Sequence, residues 1–242
     1  MSEVQGDISV KEVYSKAWDL TKKYSNVWVG LALVYILPAI ILSLIFRVNN
    51  SSFSTTDGQL VESAGLAMIG VVAIAIYQLV VIAVFIKATI EAANGKDLKD
   101  VKQAYEIGKT TAGPVIIATF AVAAVVAAGL LLLIVPGIIA AFLLFLTVYI
   151  VADKKVSIYD AMKLSAEHAK QQVGTIFKYV ALAILISLVG GMVASIFGGF
   201  GILSNMIETT INAITQIFIS ISGAVLYVEI MKRHKTENTD KN

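Results

Sequence analysis

The chain has 242 residues, of which 57% are hydrophobic and 15% charged, and its mean hydropathy is +0.81. That leaves too little polar surface to coat a water-soluble globule of this size, and a formal net charge of +2 without a basic block excludes a nucleic-acid partner. Cysteine is absent, which removes disulfides, thiolate metal ligands and cysteine nucleophiles.

Residues 1–26 mix lysines with Glu3, Asp7, Glu12 and Asp19 and hold no short apolar run, so they do not read as a cleaved signal peptide. Ser9-Val10-Lys11-Glu12-Val13 predicts a capped helix start, with Ser9 as N-cap and an acid three residues on. Val10, Val13, Tyr14, Ala17 and Trp18 then share a face, with Lys11, Glu12, Lys16, Asp19, Lys22 and Lys23 mostly opposite, which predicts a cytoplasmic amphipathic helix at the membrane interface. Trp18 and Trp28 bracket that interface, where indole rings settle near headgroups.

A helix crosses the hydrocarbon core with about 20 apolar residues. Six segments qualify, at 27–46, 64–86, 112–134, 136–152, 177–199 and 209–231, and 232–242 is left as a polar cytoplasmic tail. Pro38 inside the first span predicts a kink over 34–38 unless a neighbour satisfies the carbonyl it frees. After the second span, Asp97-Leu98-Lys99-Asp100-Val101 repeats the capped start with Asp97 as N-cap. No charge interrupts 112–152; Val135-Pro136-Gly137 predicts a tight outer turn, with Pro136 at the first helical position of span four and Pro114 in the same role for span three. Ser157-Ile158-Tyr159-Asp160-Ala161 is the third capped start, with Ser157 as N-cap.

All Lys and Arg residues except Arg47 fall on one side of this six-span pattern. Positive residues resist translocation, so that side is expected to be cytoplasmic, with both termini inside. The three similar openings predict three units of amphipathic helix plus transmembrane hairpin, all in one orientation; chance recurrence of a common capping motif is the alternative.

Val135-Pro136-Gly137-Ile138, a span ending in Ala152-Asp153, then Ser157-Ile158, Asp160-Ala161 and Ser165 resemble a diffuse group of prokaryotic integral membrane proteins. That group includes the membrane domain attached to some glycerophosphodiester phosphodiesterases and related stand-alone proteins of unknown function. The resemblance covers 135–171, and the six-span layout more loosely. It implies an all-α membrane fold in a prokaryotic plasma membrane and carries no catalytic residue to this chain, which shows no soluble barrel with paired acids and histidines.

Intramembrane ionisable residues usually mark chemistry or ion coupling, and the assigned spans hold almost none. Glu229, in the last turn of span six beside Lys232 and Arg233, predicts an ion pair at the interface. His168 and His234 have no familiar zinc spacing. No nucleophile elbow or P-loop occurs. The expectation is therefore no enzyme, no metal and no cofactor. The most informative polar pattern is Asn212, Gln216, Ser220 and Gly223 on one face of span six, extended by Thr209 and Tyr227, with Gln78 in span two as a further candidate. Such a stripe glues helices together or lines a ligand path. Ser187, Gly191, Ser195 and Gly199 in span five predict a close helix crossing or a dimer contact. The leading functional expectation is a non-enzymatic role in membrane or lipid homeostasis, binding or moving a lipid-like or small amphipathic molecule. The alternatives are a small-solute transporter or channel, and a structural subunit. Expected partners are the lipid bilayer, such a ligand, and a second copy or a membrane complex.

Overall fold

Long apolar runs leave the backbone no partner but itself, and the chain responds with helices alone among its described residues. The structure, a computed structural model, describes residues 8–50, 57–154, 156–197 and 202–239. The helices are α1 (Val10–Lys23), α2 (Ser25–Asn50), α3 (Asp57–Ala93), α4 (Val101–Leu132), α5 (Ile134–Leu143), α6 (Thr147–Asp153), α7 (Ile158–Gln171), α8 (Val173–Ser195) and α9 (Ile202–Thr239). Five stretches are long and apolar enough to cross a bilayer: Met68–Ala93, Val101–Leu132, Ile134–Asp153, Val173–Ser195 and Met206–Thr236. The protein is thus all-helical with the makeup of a multi-pass membrane protein. In α2 the apolar stretch Ser25–Pro38 is shorter. Residues 51–56 of the expected outer loop, and Gly198, Gly199 and Gly201, lie outside the described residues.

Pro38 lies inside α2, and the carbonyl it frees, that of Val34, accepts a 2.7 Å hydrogen bond from the Tyr77 hydroxyl on α3. A neighbour therefore satisfies the backbone at this proline. Pro114 does not start a helix. It sits inside α4, which runs unbroken from Val101, so the second polar segment and the third span form one helix.

The turn before span four also differs from expectation. Leu133 is the N-cap of α5, and Pro136 occupies the third helical position. Proline is tolerated there because the amides of the first helical turn lack intrahelical acceptors in any case. Gly137 has a packing role rather than a turn role: a Cβ on it would meet the Leu130 side chain at 2.5 Å and the Leu130 amide at 2.6 Å. Span four then breaks between α5 and α6. Ser165 of α7 bridges the break, donating to the Leu143 carbonyl at 2.8 Å and accepting from the Leu146 amide at 3.1 Å. A buried backbone break needs such partners, and a uniformly apolar run gives no sign of one.

The caps explain where the polar helices begin. Ser157 caps α7, accepting from the Asp160 amide at 3.1 Å and donating to its carboxylate at 2.6 Å. Ser9 is the N-cap of α1 but its side chain makes no capping bond. Asp97 is not a cap at all. Asp100 takes that role for α4, accepting from the Gln103 amide at 2.7 Å, while Asp97 is held by the Tyr24 hydroxyl at 2.9 Å and Lys23 at 3.5 Å. These two contacts, the Tyr24 bond first, lower the Asp97 pKa below the usual carboxylate value.

Measured from N-caps Ser9, Asp100 and Ser157, the positions four and eight residues on are buried in all three helices: Val13 and Ala17, Ala104 and Gly108, Ala161 and Ser165. α4 packs on α3 and α7 on α6, the helix before each in the chain, whereas α1 packs on α9, the last. One-residue breaks at Tyr24 and Gln172 separate α1 from α2 and α7 from α8, with φ, ψ of −112°, 33° and −123°, 31°. α4 has no such break.

Candidate functional site

α9 is the hub, packing against α1, α2, α3, α6 and α8. Its helical register sends the polar stripe in several directions. Asn212 and Gln216 open into a cavity of about 370 Å³ that they share with Thr209, Tyr35 of α2 and Gln78 of α3. Three of the four expected ligand-path residues thus meet in one place, around two side-chain amides from α9 and one from α3.

Gln216 also borders a second cavity, of about 460 Å³, against Phe142, Phe145, Tyr179, Ala183 and Leu188. This one is lined mainly by carbon. One glutamine therefore stands at the joint of a polar and an apolar cavity, each within the size range of small-molecule sites.

Ser220 lines neither cavity. It is buried, and its hydroxyl donates back to the Gln216 carbonyl at 2.8 Å. Gly223 leaves the space into which Tyr149 projects, since a Cβ there would collide with the Tyr149 hydroxyl and lie 3.1 Å from that of Tyr179. The Tyr179 hydroxyl donates to the Ile219 carbonyl at 2.8 Å and lies 3.0 Å from the Ser222 hydroxyl. These tyrosines belong to an aromatic cluster in which Phe145 lies 5.7 Å from Tyr149 and 5.5 Å from Tyr179. Tyr14 of α1 stacks on Tyr179 at 5.5 Å, and burial pushes its hydroxyl up to about 12.

At the lysine-rich end, an ionic group joins α3, α6 and α9. Lys87 pairs with Glu91 at 3.0 Å and with Asp153 at 3.4 Å, and Tyr227 donates to Asp153 at 2.9 Å. Glu229 pairs with Lys16 of α1 at 2.9 Å, a partner distant in sequence. These groups close the end of the bundle, and none borders the amide cavity.

His168 and His234, far apart in sequence, are brought edge to face with ring centroids 4.6 Å apart. Among the described residues no group of three potential metal ligands forms around them. Burial, then His234, then Lys154 lower the His168 pKa against a small opposing effect of Glu167, which favours the neutral ring.

The small-residue face of α8 is exposed at Ser187, Gly191 and Ser195, with Ser187 at the edge of the apolar cavity beside Gln216. Nothing lies within 4 Å of a Cβ on Gly191, and Ser187 and Ser195 bond to their own helix at Ala183 and Met192. The close crossing with α9 uses Gly190, one residue away, where a Cβ would meet Thr215 at 2.7 Å. No protein-family model, curated protein or solved structure matches the chain.

Proposed function

We propose that this is a six-span, non-enzymatic protein of a prokaryotic plasma membrane, with both termini cytoplasmic, that binds or moves a lipid-like or amphipathic molecule in membrane or lipid homeostasis. The observation that carries the reading is the position of Gln216 between a cavity with three amide side chains and one lined mainly by carbon. An amphipath satisfies both, with its polar part hydrogen-bonded by Gln78, Asn212 and Gln216 and its apolar part against Phe142 and Leu188. The resemblance of 135–171 to prokaryotic integral membrane proteins brings no catalytic residue to this chain and agrees with a non-enzymatic reading.

α2 supplies the sixth span. Its 26 residues reach about 39 Å at 1.5 Å per residue, enough for a hydrocarbon core about 30 Å thick. The one-sided distribution of Lys and Arg supports cytoplasmic termini. The matching burial after the three N-caps supports a threefold repeat of surface helix and hairpin, with α4 as a fused version of the middle unit.

Native mass spectrometry of protein released from nanodiscs tests the binding reading. The wild type should retain a stoichiometric small molecule that Gln216→Ala loses while still folding. A wild type that is bare, or that carries only mixed bulk lipid, overturns it. A solute-conducting path would use Ser220 as well, and that hydroxyl is turned onto its own helix. A structural-subunit role has one observation in its favour, the open face around Gly191. Gly191→Leu should then break assembly into a larger complex, and unchanged assembly contradicts that role.

A further inference from the structure

A third cavity lies on the opposite flank of α9 from the amides. α8 packs chiefly on α9, and α2 packs on α9 from the other side, so a groove remains between α2 and α8 under the end of α1. It measures about 470 Å³, and its walls include Trp18, Trp28, Ala32, Ile186, Thr215 and Phe218.

The polar atoms of this groove are largely satisfied already. The Thr21 hydroxyl donates to the Ala17 carbonyl, Thr215 to the Ile211 carbonyl and the Trp28 indole to the Leu20 carbonyl. What remains to a ligand is mostly carbon, which selects an acyl chain over a polar solute.

The mouth has the opposite character. Trp18 is 51% exposed there, with the Lys22 ammonium 5.2 Å from its ring centroid. Lys11, Trp18 and Lys22 follow one another at seven and four residues, so they share a helix flank. Among the described residues neither Lys11 nor Lys22 has a carboxylate partner, whereas Lys16 and Lys23 on the other flank pair with Glu229 and Asp97. Lys22, beside Trp18 at the groove mouth, thus has no carboxylate partner among the described residues, and Lys11 lies about 16 Å before it along the same flank.

We propose that this groove is a binding site for an anionic phospholipid, separate from the Gln216 site, with an acyl chain between α2 and α8, the phosphate held by Lys22 beside Trp18, and Lys11 adding positive charge farther along the same flank. Trp18 marks the depth of the headgroup boundary, where an indole ring is most stable. The site fixes α1 to the bilayer on the flank where neither lysine has a carboxylate partner among the described residues.

Trp18 and Trp28 are the only tryptophans in the chain, and both line this groove. Their fluorescence therefore reports its occupancy. The full chain is reconstituted in phosphatidylcholine bilayers and titrated with phosphatidylglycerol or phosphatidylcholine brominated on the acyl chain. Quenching by the anionic lipid should reach half its limit at a mole fraction at least about 5-fold lower, the factor one interfacial lysine contributes. Lys11→Gln with Lys22→Gln, both exposed positions, should bring the two titrations together, while Gln216→Ala leaves the preference intact. Equal quenching by the two lipids in the wild type means ordinary annular contact and overturns the proposal, as does a preference that survives loss of both lysines.

Discussion

α8 and α9 form one hairpin and read alike as apolar spans, yet 61% of the membrane-spanning window of α9 is buried against 11% for α8. The difference follows from their side chains. α9 presents the side-chain amides of Asn212 and Gln216, which lipid cannot satisfy, and it sits at the centre of the bundle. α8 is Leu-, Ile-, Val- and Ala-rich; Ser187 and Ser195 bond to their own helix and Tyr179 is its polar anchor on α9, so lipid suits most of the remaining surface. Polarity within a membrane helix thus signals position more reliably than hydrophobicity does.

The sharpest way to break this comparison is a matched pair of glycine substitutions. Gly223→Leu in α9 drives a side chain into the place of Tyr149 and should cost about 3 kcal/mol or abolish folding. Gly191→Leu in α8 enters open space and should change thermal stability in detergent by no more than about 0.5 kcal/mol. Comparable losses in the two would contradict the central placement of α9.

A smaller effect probes how α8 is docked. Tyr179→Phe removes its bond to the Ile219 carbonyl, which also accepts from Ser222 at 3.0 Å, so no orphan acceptor results. A loss of about 0.5–1.5 kcal/mol is expected by denaturant titration. No loss would mean that aromatic packing alone holds α8 to α9.

The contact of α7 with α9 is pH-sensitive. The folded state lowers the His168 pKa, so the unfolded chain binds more protons and stability falls as pH drops below about 6.5. His234 and Lys154 face the same ring and add to the penalty, while Glu167 opposes it. Thermal midpoints measured between pH 7.5 and pH 5.5 should decline, and His168→Gln should flatten the decline. Lys16→Gln removes a half-exposed ion pair to Glu229 and should cost no more than about 1 kcal/mol, less in high salt.

Hydropathy made the helical class and five spans legible, and the spacing of Asn212 and Gln216 pointed to the amide cavity. Ser157 was legible as a cap because its acid lies three residues on. The break at 144–146 was hidden because its partner, Ser165, lies on another helix and the broken run is apolar throughout. Asp97 and Asp100 both suit a cap by type. The choice depends on tertiary contacts, since Tyr24 and Lys23 engage Asp97 and leave Asp100 to the helix. Gly137 looked like a turn residue, but what it provides is room for Leu130, which only the folded hairpin reveals.

Both ligand sites are placed in the bilayer by one claim, that the lysine-rich end of the bundle is cytoplasmic and that six spans put 47–63 on the other side. The chain has no cysteine, so single cysteines report position without background. Asp57→Cys, Lys96→Cys and Lys170→Cys are tested on intact cells with a membrane-impermeant maleimide. Labelling of Asp57→Cys alone, with the other two reactive only after permeabilisation, is the predicted result. Labelling of Lys96→Cys or Lys170→Cys on intact cells, or protection of Asp57→Cys, would contradict it.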